Sequence, residues 1–176
     1  MLTVKDKKFV PFIEKQPLEE RIAEVGREIN EDYRDKNPLF VVVLNGAFMF
    51  AAELMKNVTI PCEITFVRVS SYSKTQSTGE VTEVLGLKES IRDRHVIIVE
   101  DIVDTGLTMN KLLFQLSAQR PESIQVATML FKPKALKTPL SVKYAAFEIE
   151  NRFVLGYGLD YEGYGRNVDG VYVLAP

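Results

Sequence analysis

The chain has 176 residues, 46% hydrophobic and 26% charged, a length and composition that predict one compact domain with a sizeable core. Its 22 Lys and Arg nearly balance 24 Asp and Glu, so the summed charge gives no general attraction for nucleic acid or an anionic membrane, and any anion site must be local. A lone Cys62 excludes an internal disulfide framework, the start MLTVKDKKFVPF lacks the apolar run of a signal peptide, and the longest apolar run, 39 to 44, is far below the roughly 20 residues that span a bilayer, so a soluble, cytoplasmic protein is expected.

In chain order, Pro17 opens a segment with Leu18, Ile22, Val25 and Ile29 at i, i+4, i+7 and i+11, the spacing of an amphipathic helix with proline in its first turn. It runs out by Asn37 and Pro38. LFVVVL (39 to 44) is a valine-rich run suited to a strand buried on both faces. AFMFAAELMK after Gly46 has helical composition, and CEITFVRVS (62 to 70) is strand-like. Residues 70 to 90 are polar and crowded with serine and threonine around Gly79, long for a structureless connection in a compact domain, and such loops are usually functional lids or disordered.

HVIIV (95 to 99) reads as the third buried strand, with Met109, Leu112, Leu113 and Leu116 on the apolar face of the following helix. SIQVATML (123 to 130), YAAFEI (144 to 149) and FVLGY (153 to 157) read as further strands. Strands alternating with helices predict an α/β fold with a mostly parallel sheet covered on both faces.

Ligands of such sheets bind beyond the carboxyl ends of the strands, which is where the sequence places Glu100 to Thr108 as a loop. Gly106 permits a tight turn in which backbone N–H groups converge on a phosphate at a helix start, and Thr105 and Thr108 add hydroxyls. Glu100, Asp101 and Asp104 would repel that anion unless they meet a magnesium ion or ribose hydroxyls. The combination points to a sugar phosphate. On spacing alone, DTGLT is also what a capped helix start looks like. Neither G-x-x-x-x-G-K-[ST] nor G-x-G-x-x-G occurs at this loop.

VIIVEDIVDTGLT closely resembles the phosphoribosyl pyrophosphate signature of type I phosphoribosyltransferases. VVVLNGAFMFAAEL is similar to the first pyrophosphate loop of that family's hypoxanthine-guanine branch, SSYSKTQSTG to its mobile catalytic lid, and FEIENRFVLGYGLDYEGYGR to its purine-binding and closing segment. The resemblance runs in order from about Val41 to Arg166. It implies the type I phosphoribosyltransferase fold, with a lid at about 70 to 90 and a small hood formed by the terminal segments, 147 to 176 among them.

The implied activity is transfer of a 5-phosphoribosyl group from phosphoribosyl pyrophosphate to N9 of a 6-oxopurine, with magnesium as cofactor. Asp104 to Thr108, including Leu107, would hold the 5-phosphate, and Glu100 and Asp101 would engage the ribose hydroxyls and the metal. Asp104 would face N7 as acid or base. Asn45, Gly46 and Ala47 would hold the pyrophosphate with Arg166, and Asp160 would be a magnesium ligand. Lys132 would reach the O6 side, Phe153 would stack on the ring and the Val154 backbone would read its edge. Ser71 and Tyr72 would begin the closing lid. By residue type alone Phe153 suits a core strand, and Lys132 alone suits a solvated surface.

Two positions depart from the family pattern. Asn45 stands where many members carry lysine or arginine, leaving the backbone donors but removing a charge. Arg152 stands where a lysine that is thought to donate to O6 precedes the stacking phenylalanine; arginine keeps a donor with different geometry. His95 and Cys62 read as structural. A xanthine-preferring enzyme, a nucleic-acid-binding regulator on the same fold and a bare nucleotide-binding module are the alternatives; near-neutral charge weighs against the second and the lid segment against the third. By the resemblance the protein is a homodimer or homotetramer.

Overall fold

The computed structural model describes residues 1–73 and 80–176. Its framework is a six-stranded sheet with the order β5-β4-β3-β6-β7-β8: β3 (Leu39–Val43), β4 (Glu63–Ser73), β5 (Glu80–Leu85), β6 (His95–Val103), β7 (Ser123–Phe131) and β8 (Tyr144–Glu148). All neighbours pair in parallel except β4 and β5, which are antiparallel. The expected mostly parallel sheet, flanked by helices, is therefore what forms, with one antiparallel pair at its β5 edge.

The central strands are buried on both faces, and alternate residues feed two cores. Phe40, Val42, Ile97, Val99, Ala127 and Met129 point to one side, where α1 (Lys15–Asp32) and α2 (Phe48–Asn57) pack with Leu18, Ile22, Val25, Ile29, Phe50 and Leu54. Val41, Ile98 and Val126 point to the other, against α3 (Leu107–Ser117) through Met109, Leu112 and Leu116. Each such aliphatic side chain stabilises the fold by roughly 1.5–3 kcal/mol relative to exposure.

A second sheet, β1-β2-β10-β9, joins both ends of the chain: β1 (Leu2–Val4), β2 (Lys7–Ile13), β9 (Val154–Leu155) and β10 (Val171–Leu174). Its small core is Val4, Phe9 and Leu155. This is the expected hood of terminal segments, but its strands β1, β2 and β10 are not visible as strands in the sequence.

Two boundaries differ from the sequence reading. β6 continues to Val103 because Ile102 and Val103 pair with Leu130 and Phe131 of β7, so Glu100 and Asp101 lie in the strand and not in the loop. The polar segment after Ser70 is in part a ribbon, with Ser70 to Ser73 of β4 opposite Glu83 to Glu80 of β5. The rest of the lid motif, 74 to 79, lies outside the described residues, as do the side chains of Ser71 and Tyr72.

Candidate active site

From β3 the chain crosses to β4 on one side, whereas β6 lies on the other side of β3. The strand order thus reverses between β3 and β6, and a crevice opens there at the carboxyl ends, the usual ligand position in such sheets. The loop leaving β3 and the acid pair ending β6 meet in it. A Cβ built on Gly46 would lie 1.6 Å from Oδ2 of Asp101, so the carboxylate occupies the space that only a glycine leaves open. The Leu44–Asn45 peptide of this loop is cis.

Asp101 is oriented by the Ile102 amide, which donates to its Oδ1 at 2.7 Å, and the Asp101 amide donates to Glu100 Oε1 at 3.0 Å. Burial first, and then the neighbouring Asp101, push the Glu100 carboxyl well above the ordinary carboxylate range. Such a pair is relieved by hydroxyl donors or by a cation.

Beside it lies a cavity of about 110 Å³ whose lining includes Glu100, Asp104, Thr105, Gly106 and Thr108. Gly106 has φ +79°, the left-handed turn that sends the chain from the strand into α3. The first intrahelical bond of α3 runs from the Asn110 amide to Gly106 O at 2.9 Å; amides before it have no partner within the helix, and Thr108 and Met109 of this first turn line the cavity. The Leu107 amide approaches Thr105 Oγ1 at 3.4 Å. From behind, the Lys137 amide fastens Thr105 O at 2.9 Å.

Lys132, just past β7, is 5% exposed, and its Nζ donates to Asp104 Oδ2 at 2.8 Å and to Asn151 Oδ1 at 3.4 Å. It is a buried cation neutralised at the site, the opposite of the solvated lysine that its residue type alone suggests. Arg152 is placed elsewhere: its guanidinium lies over the Phe12 ring at 5.7 Å, on the hood.

Phe153 is 45% exposed, and its ring is braced by Phe9 and Tyr161 at centroid distances of 6.0 and 5.8 Å. It forms an aromatic platform and not a core residue. Val154 beside it is buried in β9.

The segment after β9 returns to the first loop. Gly158, with φ +101°, packs so closely that a Cβ there would be 2.1 Å from Gly46 O. Arg166 fixes the turn by donating from Nη1 to Gly158 O at 2.7 Å, and its Nη2 stands 2.9 Å from Asp160 Oδ1. Asp160 Oδ2 accepts from the Gly163 amide at 2.7 Å. Asn45, Gly46, Asp101, Asp160 and Arg166 are thereby drawn into one neighbourhood. The Ala47 amide turns back to Val43 O at 3.4 Å.

Sequence reasoning missed Arg68. Its Nη2 donates to Asn45 Oδ1 at 3.0 Å. A lone arginine inside a strand-like run carries no signal by itself; only the register of β4 on β3, whose last pair is Val43 and Val67, brings it to the loop.

The donor set suits magnesium in one mode. Among the described residues no three acidic, histidine or cysteine side chains form a metal-binding group, so a protein-only cage is not present. Asp160 and the Glu100–Asp101 pair offer the hard carboxylate oxygens with which magnesium is held when a substrate phosphate supplies further ligands.

A switch-point crevice with an acid pair between the Asp104–Thr108 turn and a glycine loop has the layout of a sugar phosphate enzyme. The phosphoribosyl transferase domain family matches residues 13–162, and the chain belongs to that family. It is 41% identical over 160 residues to a hypoxanthine-guanine-xanthine phosphoribosyltransferase of Tritrichomonas foetus, covering 89% of this chain and 86% of that one. It is 37% identical over 166 residues to the hypoxanthine-guanine phosphoribosyltransferase of Bacillus subtilis, covering 94% and 92%. A hypoxanthine phosphoribosyltransferase of Trypanosoma cruzi, solved as a ternary substrates complex, superposes with a TM-score of 0.88 at 35% identity, covering 98% of each chain. The protein is a phosphoribosyltransferase enzyme. No helix among the described residues is long and apolar enough to cross a membrane.

Proposed function

We propose that the protein serves purine salvage by transferring the 5-phosphoribosyl group of phosphoribosyl pyrophosphate to N9 of hypoxanthine and guanine, giving IMP or GMP and pyrophosphate. The observation that carries this reading is the Glu100–Asp101 pair standing between the phosphate cavity and Gly46. The 5-phosphate lies on the amides and hydroxyls of Thr105 to Thr108, and the ribose hydroxyls donate to the acid pair. As the bond at the anomeric carbon opens, the sugar becomes cation-like and the departing pyrophosphate gathers negative charge. The carboxylates answer the first; the loop at Asn45 to Ala47 and Arg166 answer the second.

The purine stacks on Phe153, with the Val154 backbone at its edge. The ammonium of Lys132 donates to O6, and Asp104 lies at N7, where it takes or returns the imidazole proton. Held by Asp160, Glu100 and Asp101 together with substrate oxygens, magnesium would neutralise pyrophosphate charge. The segment from Ser71 and Tyr72 closes over the reacting atoms and excludes the water that would hydrolyse the activated sugar. Arg152 bears on the base through the hood that carries Phe153.

We read the chain as a single domain of the cytoplasm, where a lone thiol stays reduced; burial pushes the Cys62 thiol up, away from reactivity. Self-association is supported by the exposed Ile64 and Phe66 of β4, Leu85 of β5 and Phe48 of α2. Sedimentation of the purified protein tests it: a dimer or tetramer is expected, a monomer contradicts it.

Because the Tritrichomonas relative is named for xanthine as well, the base set is tested directly. Pyrophosphate release is measured with magnesium, phosphoribosyl pyrophosphate and each of hypoxanthine, guanine, xanthine and adenine. Turnover with hypoxanthine and guanine and none with adenine is expected. Absence of release with every 6-oxopurine overturns the reading.

A further inference from the structure

We propose that Arg68 is a pyrophosphate-binding residue, held in place by Asn45 and supplying the cation that the first loop itself lacks. The proposal rests on the transfer reading above. β4 runs parallel to β3 with Val67 opposite Val43, and the Leu44 amide donates to Val67 O at 2.9 Å, so Arg68 emerges at the same strand edge as Asn45. A guanidinium offers only donors, which obliges Asn45 to turn its amide oxygen to Nη2 and leaves its NH₂ facing away. The loop then presents an amide donor of Asn45 and the remaining N–H groups of an arginine that is always charged.

Charge bookkeeping separates this arginine from the one the sequence singles out. Arg166 donates to Gly158 O and is paired with the carboxylate of Asp160. Its charge is compensated and two of its nitrogens are engaged. Among the described residues Arg68 meets no carboxylate; its partner is the neutral amide of Asn45, and the side chain is exposed. An exposed, forked donor set whose partner among the described residues is a neutral amide, beside a glycine loop, is what a departing polyanion recognises. Asn45 is in this view the aiming residue and Arg68 the one that touches the phosphates.

The test measures inhibition by inorganic pyrophosphate, KM for phosphoribosyl pyrophosphate and KM for hypoxanthine in the full-length enzyme, in Arg68→Met, and in Arg68→Met combined with Asn45→Lys. In Arg68→Met, pyrophosphate inhibition weakens by about 10-fold or more and KM for phosphoribosyl pyrophosphate rises similarly, the scale on which a charge-assisted hydrogen bond contributes. KM for hypoxanthine stays within about twofold, on the expectation that a lost anion contact leaves the base site intact. Returning the cation through Asn45→Lys restores pyrophosphate binding without restoring Arg68. Unchanged pyrophosphate inhibition in Arg68→Met, equal losses for both substrates, or no rescue by Asn45→Lys overturns the proposal. If instead the unaltered enzyme turns over no 6-oxopurine, the transfer reading fails, and direct binding of inorganic pyrophosphate to the unaltered protein and to Arg68→Met decides the role of Arg68: equal binding overturns it.

Discussion

Gly46 and Asp101 meet across the β3–β6 switch point with 1.6 Å between the place of an absent Cβ and the carboxylate Oδ2. The contact joins the first loop to the acid pair, and no side chain fits between them. In Gly46→Ala the carboxylate, being the end of a short side chain, swings aside, so the fold survives while the ribose site is distorted. A displacement of this size at a reacting centre costs about 100-fold in kcat/KM. Steady-state kinetics with a melting curve check this; full activity would show that Asp101 does not need its observed position.

Gly158→Ala should act on stability. The added Cβ would meet the carbonyl oxygen of Gly46, a backbone atom that cannot swing away, at a residue with φ +101°. Strain of this kind costs about 1–3 kcal/mol, which for a chain of this length lowers Tm by roughly 2–12 °C. Calorimetry checks it, and an unchanged Tm would mean that the closing segment does not pack on the first loop in solution.

Lys132→Met is expected to separate binding from folding. Removing one member of a buried ion pair is usually destabilising, but Asp104 retains 46% side-chain exposure and is solvated once the ammonium is gone. The melting point therefore shifts little, while KM for hypoxanthine rises by about 10-fold or more through loss of a charged donor to O6. An unaltered KM removes Lys132 from the base site.

Far from the crevice, Tyr144 and then Lys143 hydrogen-bond Asp32 and hold its carboxyl below the ordinary value of 3.8. A carboxylate lowered on folding contributes stability that is fully present above that value and is lost as pH falls through the still lower folded one. The difference in Tm between the unaltered protein and Tyr144→Phe is thus expected to be steady at pH 6 and to narrow below about pH 4. A gap independent of pH would show that the phenol contributes packing only.

The strand, phosphate turn and helix from His95 to Ser117 were legible because their signals are local: an apolar run, D-T-G, then helical spacing. By sequence Glu100 and Asp101 read as loop, because nothing local shows that Ile102 and Val103 pair with Leu130 and Phe131. KKFVPFI of β2 mixes lysines with apolar residues and gains its identity from β10, on the far side of the sequence. Lys132 is a single cation just past β7 and Arg68 a single cation inside β4. Burial beneath Asn151 and Asp104 gives the first its meaning, and register on β3 gives it to the second. Phe153 was ambiguous by type, and its exposed face, visible only once Phe9 and Tyr161 pack behind it, resolves the choice.

On the proposed function, the crevice carries proton transfer at the purine beside a preformed sugar phosphate site. Asp104→Asn tests it most directly, with kcat for hypoxanthine measured alongside binding of phosphoribosyl pyrophosphate. A fall in kcat of roughly 10- to 10⁴-fold with sugar phosphate binding largely kept is expected. An unchanged kcat would contradict the assignment of Asp104 and, with it, the placement of the purine between Lys132 and the phosphate cradle.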